Sequence, residues 1–306
     1  MLAWGGADLF YKKGADSSEK YSHLKTSIAV GTVMGIHAIY TILIKDIGYQ
    51  PINLVKYLPV SAMYILSMTV GYFGLRYLEL SISSPVQNSS GAVVCILCLV
   101  FLGDKLDVLP AAAVILICAG VIVLGVLERN TDRSGEKKYV SSLTAFMMPV
   151  IYCIIDALGT FFDAYYLDDI STTPLVGVSE DTIEDIANTS YELTFFIVAI
   201  ILFIYVRIIK KEKSGFLPVA FSDKKAIVHK ASVARYAAAL LETAGQFTYV
   251  YAMSGKAVIA APMIAAYSIV AMILSRIFLK EKLTGRQYAA LSAVMVGICV
   301  LGIFDI

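Results

Sequence analysis

Apolar runs long enough to cross a bilayer alternate with short polar and charged clusters along nearly the whole chain. A helix needs about 20 apolar residues to span the hydrocarbon core, within a range of roughly 17–25. Nine runs fit: 26–44, 58–78, 84–102, 108–127, 140–162, 193–209, 231–252, 257–279 and 288–303. A tenth, 1–11, is too short to span and carries Asp8. It lacks the basic start and cleavage site of a signal peptide, and it reads as the second half of a helix whose first turns precede Met1. The pattern predicts an all-α integral membrane protein of ten transmembrane helices.

The breaks between runs carry stop signals. Gly103-Asp104-Lys105 ends one helix, and residues 128–138 form a polar linker containing Gly135. Two connections are longer. Residues 163–192 hold eight acids (Asp163, Asp168, Asp169, Glu180, Asp181, Glu184, Asp185, Glu192) and no Lys or Arg, whereas residues 207–230 hold seven basic residues. Within the acidic stretch, 179–188 is expected to form a short amphipathic helix of its own.

Composition sharpens the class. The 306 residues are 58% apolar and 16% charged, with a mean hydropathy of +0.75, against about 25% charged in soluble domains. A net charge of +1 gives no electrostatic case for a nucleic-acid partner. The five cysteines all lie in apolar runs and read as small packing hydrophobes. No residue set calls for a metal or other cofactor.

The chain also resembles itself. Shifting 85–125 by 177 positions lays it on 262–302 with 14 of 41 residues identical. The informative matches are Pro85/Pro262, Lys105/Lys282, Leu106/Leu283, Gly120/Gly297 and Gly125/Gly302, with Asp104/Glu281 alike in charge. Upstream the offset is 174 (Gly71/Gly245, Phe73/Phe247, Tyr77/Tyr251), and further back Asp8 falls on Asp156 at 148. One insertion, about the length of the acidic loop, would explain the change. The expected organisation is a first five-helix repeat over 1–129, its first helix truncated, and a second over 130–306 with an insertion at about 163–192. An odd number of helices per repeat inverts the second relative to the first, an arrangement common in transporters.

On these residues the chain resembles the drug/metabolite transporter superfamily, in its ten-helix, EamA-type branch. The resemblance rests on Trp4-Gly5, Pro85 and Pro262, the turns Gly103-Asp104-Lys105-Leu106 and Lys280-Glu281-Lys282-Leu283, and Gly120 and Gly297. It covers nearly the whole chain. It implies a central cavity between the repeats, alternating access, and small metabolites or drugs as cargo. The acidic loop departs from the compact family pattern.

Charged side chains deep in a membrane cost at least ~2.5–3.5 kcal/mol on insertion scales, so they are candidates for function. Asp8, Asp156 and Glu242 are such acids, with no Lys or Arg comparably deep. Tyr152 lies one turn before Asp156, and Glu242, Gln246 and Tyr249 make one stripe at i, i+4 and i+7. These acids either bind a cationic group or are protonated part of the time, since burial disfavours the charged form. A neutral acid bonded to a neighbouring helix is the structural alternative. After Pro85 come the polar Gln87-Asn88-Ser89-Ser90, whereas after Pro262 the chain stays apolar until Tyr267. Proline breaks at mid-membrane are where substrates are read, so Gln87, Asn88, Ser90, Tyr267 and Trp4 join the substrate-binding set. Gly31 and Gly35 read as a packing face, and His37 with Tyr40 as a polar pair more typical of packing than of proton shuttling.

The sequence thus reads as a secondary transporter of a small polar or amphiphilic metabolite, coupled to protons, in the plasma membrane of a prokaryote. A lipid-carrier flippase is the alternative, and an enzyme is disfavoured because His23, His37 and His229 are scattered. Basic residues collect in cytoplasmic loops. Loops 1–2, 3–4, 5–6, 7–8 and 9–10 hold 21 of them and the alternate loops 4. That count puts both termini and the acidic loop outside, against the usual orientation of the resembled family.

Overall fold

The computed structural model describes residues 1–15, 19–78, 80–103, 105–129, 143–212, 215–216, 226–255, 257–280 and 284–304, and among these there is no strand. The helices are α1 (Leu2–Gly14), α2 (Ser22–Tyr40), α3 (Ile52–Lys56), α4 (Leu58–Gly74), α5 (Leu80–Asn88), α6 (Ser90–Leu97), α7 (Val108–Arg129), α8 (Leu143–Asp168), α9 (Ile183–Ile204), α10 (Ala226–Met253), α11 (Ala257–Ala265), α12 (Tyr267–Leu274) and α13 (Gly285–Phe304). Among the described residues, five helical segments are long and apolar enough to cross a membrane: Ser22–Lys45, Ser83–Leu102, Met147–Asp168, Ile183–Ile209 and Ala257–Leu279. Shorter apolar helices lie at Leu58–Gly74, Val108–Val123 and Gly285–Val300. Of the expected linker at 128–138, residues 130–138 lie outside the described residues, as do Asp104, Lys256 and Glu281–Lys282–Leu283.

Side chains are sorted opposite to a soluble protein. Ile44, Ile96, Val100, Phe101, Ile115, Ile201 and Ile277 are exposed, while Asp8, Ser84, Asp163, Glu192, Arg235 and Glu242 are buried. An apolar exterior around a polar interior is stable only where the surroundings are lipid. This is an integral membrane protein.

Each apolar run becomes a helix close to its expected bounds, but three details differ. The acidic connection is shorter than 163–192. α8 continues to Asp168 and α9 starts at Ile183, because Asp163 and Glu192 find partners inside the bundle: the Tyr57 hydroxyl donates to Asp163, and His37 meets Glu192. The separate helix expected at 179–188 is instead the entry to α9. Ser179 and Thr182 bond each other just before it, and Glu184 and Asp185 sit favourably in its first turn. The third difference concerns the prolines. Pro85 and Pro262 lie inside α5 and α11, and the helices break four residues later, at Ser89 and Ala266. There the bonds tighten to i−3: Ala92 N–H to Ser89 O and Ile269 N–H to Ala266 O, both about one residue short of α-helical closure. The Ser89 hydroxyl also donates to the Pro85 carbonyl, competing with the helix for that acceptor.

Among the described residues, π-helical turns at Thr41–Lys45, Cys98–Leu102, Tyr205–Ile209 and Ser275–Leu279 end α2, α6, α9 and α12. α2 packs on α9, α7 on α13, α4 on α8, α1 on α10, and α6 crosses α11. Gly31 and Gly35 do serve packing, lying against the Phe195 carbonyl and the Phe196 ring of α9.

The two ends of the bundle are closed by different chemistry. At one end Arg235 donates to Glu19, Ser22 and the carbonyls of Gly14 and Gly215, and Lys25 pairs with Glu19 and, at 3.6 Å, with Glu212. At the other, Asn53 exchanges two hydrogen bonds with the Val176 backbone, Lys56 donates to Pro174 O, and Tyr49 bonds Ser190. Neutral partners predominate there.

Candidate functional site

A cavity lies in the middle of the bundle, with about 810 Å³ of atom-free space counting the part continuous with the outside. Eleven of the residues singled out from the sequence line it: Trp4 and Asp8 from α1, Gln87 and Asn88 from the end of α5, Ser90 from the start of α6, Tyr152 and Asp156 from α8, Glu242, Gln246 and Tyr249 from α10, and Tyr267 from the start of α12. Pro85 and Pro262 are not in the wall; their helix breaks are what bring residues 87–90 and 267 to it.

The acids are held by neutral donors. The Ser84 hydroxyl donates to Asp8 (2.7 Å), Ser90 to Asp156 (2.9 Å), and Tyr11 to Glu242 (3.2 Å). Ser84 and Ser90 lie six residues apart on the broken helix, roughly 9 Å along its axis. Asp8 and Asp156 therefore grip that helix on either side of its interruption. Asn88 also donates to the Ser84 carbonyl, while the buried Gln87 Nε2 has no acceptor among the described residues.

Aromatic rings complete the wall. Trp4 packs against Tyr249 and Tyr267, with centroids 5.2 and 5.6 Å away, and Tyr11 against Tyr72 at 4.6 Å. The Tyr64 hydroxyl bonds both Thr160 (2.9 Å) and the Tyr249 hydroxyl (2.7 Å). Two glycines make room for rings: a Cβ on Gly245 would stand 2.5 Å from Trp4, and one on Gly71 would stand 2.8 Å from Tyr152.

Sequence reasoning missed Tyr11, Tyr64, Tyr72, Thr160 and Tyr191, which share the wall. A signal existed: Tyr64, Met68 and Tyr72 recur at i, i+4 and i+8, one face of α4. His37 lies outside the cavity, its Nδ1 at 2.8 Å from both oxygens of Glu192, so it is a hydrogen-bonding partner on the α2–α9 seam.

Residues 143–303, over half the chain, match the model of the EamA-like transporter family. The fold is similar to that of a solved structure titled "Crystal structure of protein", with a TM-score of 0.62 over 99% of this chain and 96% of that one. At 12% identity this likeness is one of fold alone. No curated protein matches the sequence.

Proposed function

Since this chain belongs to the EamA-like transporter family, a branch of the drug/metabolite transporter superfamily, we propose that it is a secondary transporter moving a small polar or amphiphilic metabolite by alternating access, with protons as coupling ion. The observation that carries this reading is the cavity's position. It sits at the interruptions of both broken helices, and its walls come from both halves of the chain. Substrate sites of repeat-built transporters form at such discontinuities. Asp8, Asp156 and Glu242 are the proton-carrying candidates, because each is buried with a hydroxyl partner and a hydroxyl serves either protonation state.

The proposal includes ten spans, α5–α6 and α11–α12 counting as one each, and two inverted repeats over 1–129 and 130–306. Paired irregularities support it. The breaks at Ser89 and Ala266, the π turns at Cys98–Leu102 and Ser275–Leu279, and the left-handed residues Gly103 and Lys280 all stand 177 apart. The π turns of α2 and α9 stand 164 apart, and a Cβ on Gly31 would meet residue 195 at the same offset. The register thus changes in two steps, from 148 to 164 across the acidic connection and to 174 across the basic one, instead of by one insertion. We assign the protein to a prokaryotic plasma membrane with the acidic loop outside.

The test is counterflow in proteoliposomes, with amino acids, amines, nucleosides and sugars as labelled solutes. A solute should exchange only with protein present, and Glu242→Gln should reduce exchange with no loss of incorporated protein. No exchange of any solute, with movement of a labelled lipid instead, would replace this reading with a flippase.

A further inference from the structure

The cavity's chemistry narrows the cargo. Three carboxyl groups converge on it from α1, α8 and α10, and no Lys, Arg or His is among its lining residues. The nearest lysine on α1, Lys12, gives its ammonium to the carbonyls of Leu75 and Leu78. A carboxylate or phosphate solute would therefore enter with three acids and no counter-charge in the wall. Two like charges about 4 Å apart repel by several kcal/mol at the effective dielectric of a protein.

The rest of the wall suits the opposite sign. Eight of the lining side chains are Tyr or Trp, and a ring face attracts a cation through its quadrupole, most strongly when water is excluded. Trp4, packed against Tyr249 and Tyr267, forms an aromatic cage with them; Trp4 stands one helix turn from Asp8 and Tyr249 two turns from Glu242. A purely apolar cargo would use the rings but leave the acids without purpose.

A second observation lies outside the cavity. Down α8, Asp156, Thr160 and Asp163 follow one face at i, i+4 and i+7, and the helix then delivers the chain to the connection between α8 and α9. From Asp168 to Asp185 that segment has six acids, none of them buried, and no basic residue, and among the described residues Asp185 receives a lysine, Lys45 at 3.2 Å. Such a field raises the local concentration of cations and repels anions. The acidic end and the acidic cavity are joined by an acidic stripe.

We propose that the cargo is an organic cation, a protonated amine or quaternary ammonium of small-metabolite size, held by Asp8, Asp156 and Glu242 and by the Trp4–Tyr249–Tyr267 cage. The proposal rests on the transporter reading and narrows it. Its test is thermal unfolding of the purified full chain against matched solutes: choline and its neutral isostere 3,3-dimethyl-1-butanol, spermidine, tetraethylammonium, benzylamine, leucine, uridine, glucose and succinate. Binding to the folded state raises the midpoint by mass action. At least one cation should raise it where the neutral and anionic solutes do not. Glu242→Gln and Asp156→Asn should each weaken that response roughly ten- to a hundredfold, the effect of losing one charge-assisted contact. Trp4→Leu, which leaves every acid in place, should weaken it as well. A response only to leucine, uridine, glucose or succinate would overturn the cation assignment and leave the transporter reading standing. No response to any solute, together with no counterflow of any of them, would overturn both.

Discussion

Gly120 on α7 and Gly297 on α13 make reciprocal contacts. A Cβ on Gly120 would stand 2.3 Å from Val294 and 3.4 Å from the Ala290 carbonyl; one on Gly297 would stand 2.7 Å from Ile117 and 3.0 Å from the Ala113 carbonyl. Every partner of one glycine lies 177 residues from the corresponding partner of the other. Only hydrogen fits at either position, so the two helices approach closely at both points, as small-residue interfaces do in lipid.

Gly120→Ala should therefore destabilise the protein by about 1–3 kcal/mol, the cost of forcing extra atoms into a packed interior. Val294→Ala in the same chain should recover part of that loss, because Val294 is the side chain the new methyl meets first. Unfolding midpoints of the two variants in one detergent measure both effects. Equal midpoints for Gly120→Ala and the parent would show that α7 and α13 sit further apart.

Much of this was legible in the chain because a bilayer imposes a simple rule: about 20 apolar residues per span, with polar groups confined to breaks or function. Asp8, Asp156 and Glu242 stood out for that reason, and the stripe Glu242, Gln246, Tyr249 followed from helical spacing. The tyrosines of α4 did not stand out, since Tyr is at home both in an apolar run and at its edges. Asp163 and Glu192 look like loop residues in the sequence because their partners, Tyr57 and His37, are 106 and 155 residues away. No local pattern carries such pairings.

Lys280 offers a test of backbone conformation. It holds φ 60, in the left-handed region, where its 177-residue counterpart Gly103 holds φ 71. A left-handed conformation costs a residue with a Cβ roughly 1–2 kcal/mol, part of which glycine returns through its freer unfolded state. Lys280→Gly should stabilise by about 0.5–1 kcal/mol, and Gly103→Lys should destabilise by a similar amount. A fall in midpoint for Lys280→Gly would mean that its side chain contributes more than its backbone loses.

The ionic end of the bundle predicts a larger effect. Arg235 is 1% exposed and bonds Glu19, Ser22 and two carbonyls. Arg235→Met leaves Glu19 with one fewer cation and removes the guanidinium donors from Ser22 and the Gly14 and Gly215 carbonyls, of which Gly14 keeps the Ser22 hydroxyl, a change that costs about 3–5 kcal/mol for buried pairs. Thermal unfolding should show a drop about twice that of Gly120→Ala, and Arg235→Lys should recover only part of it, since one ammonium cannot replace a planar fork of donors. A midpoint within a degree of the parent would show that this end is not sealed as described.

Two buried acids should separate stability from transport. Glu192 meets His37 outside the cavity, and Asp156 meets Ser90 inside it. Glu192→Gln is expected to lower the unfolding midpoint and the amount of protein in membranes. Asp156→Asn is expected to leave the amount unchanged and to reduce solute exchange at least tenfold, the loss of roughly 1.4 kcal/mol or more of binding. Exchange rates normalised to incorporated protein compare the two. Equal normalised losses would show that Asp156 has no special part in transport.

Orientation is the last expectation, and the bundle sharpens how it can be tested. The Arg76 guanidinium donates to Lys20 O and that of Arg235 to Gly215 O, which gathers loops 1–2, 3–4 and 7–8 at one end. Asn53 and Lys56 bond Val176 and Pro174, which gathers loops 2–3 and 6–7 at the other. The first set belongs to the loops with 21 basic residues and the second to those with 4. Lysine and arginine are retained on the cytoplasmic side during insertion, and short loops weigh most. Without the eight of loop 7–8 the count is still lopsided, so the acidic connection should face outward. Ser179 is exposed just before α9 and suits a single cysteine once the native five are replaced. An impermeant thiol reagent should label Ser179→Cys on intact cells. Labelling only after the cells are opened would place the acidic connection in the cytoplasm and show that the charge count misleads in this chain.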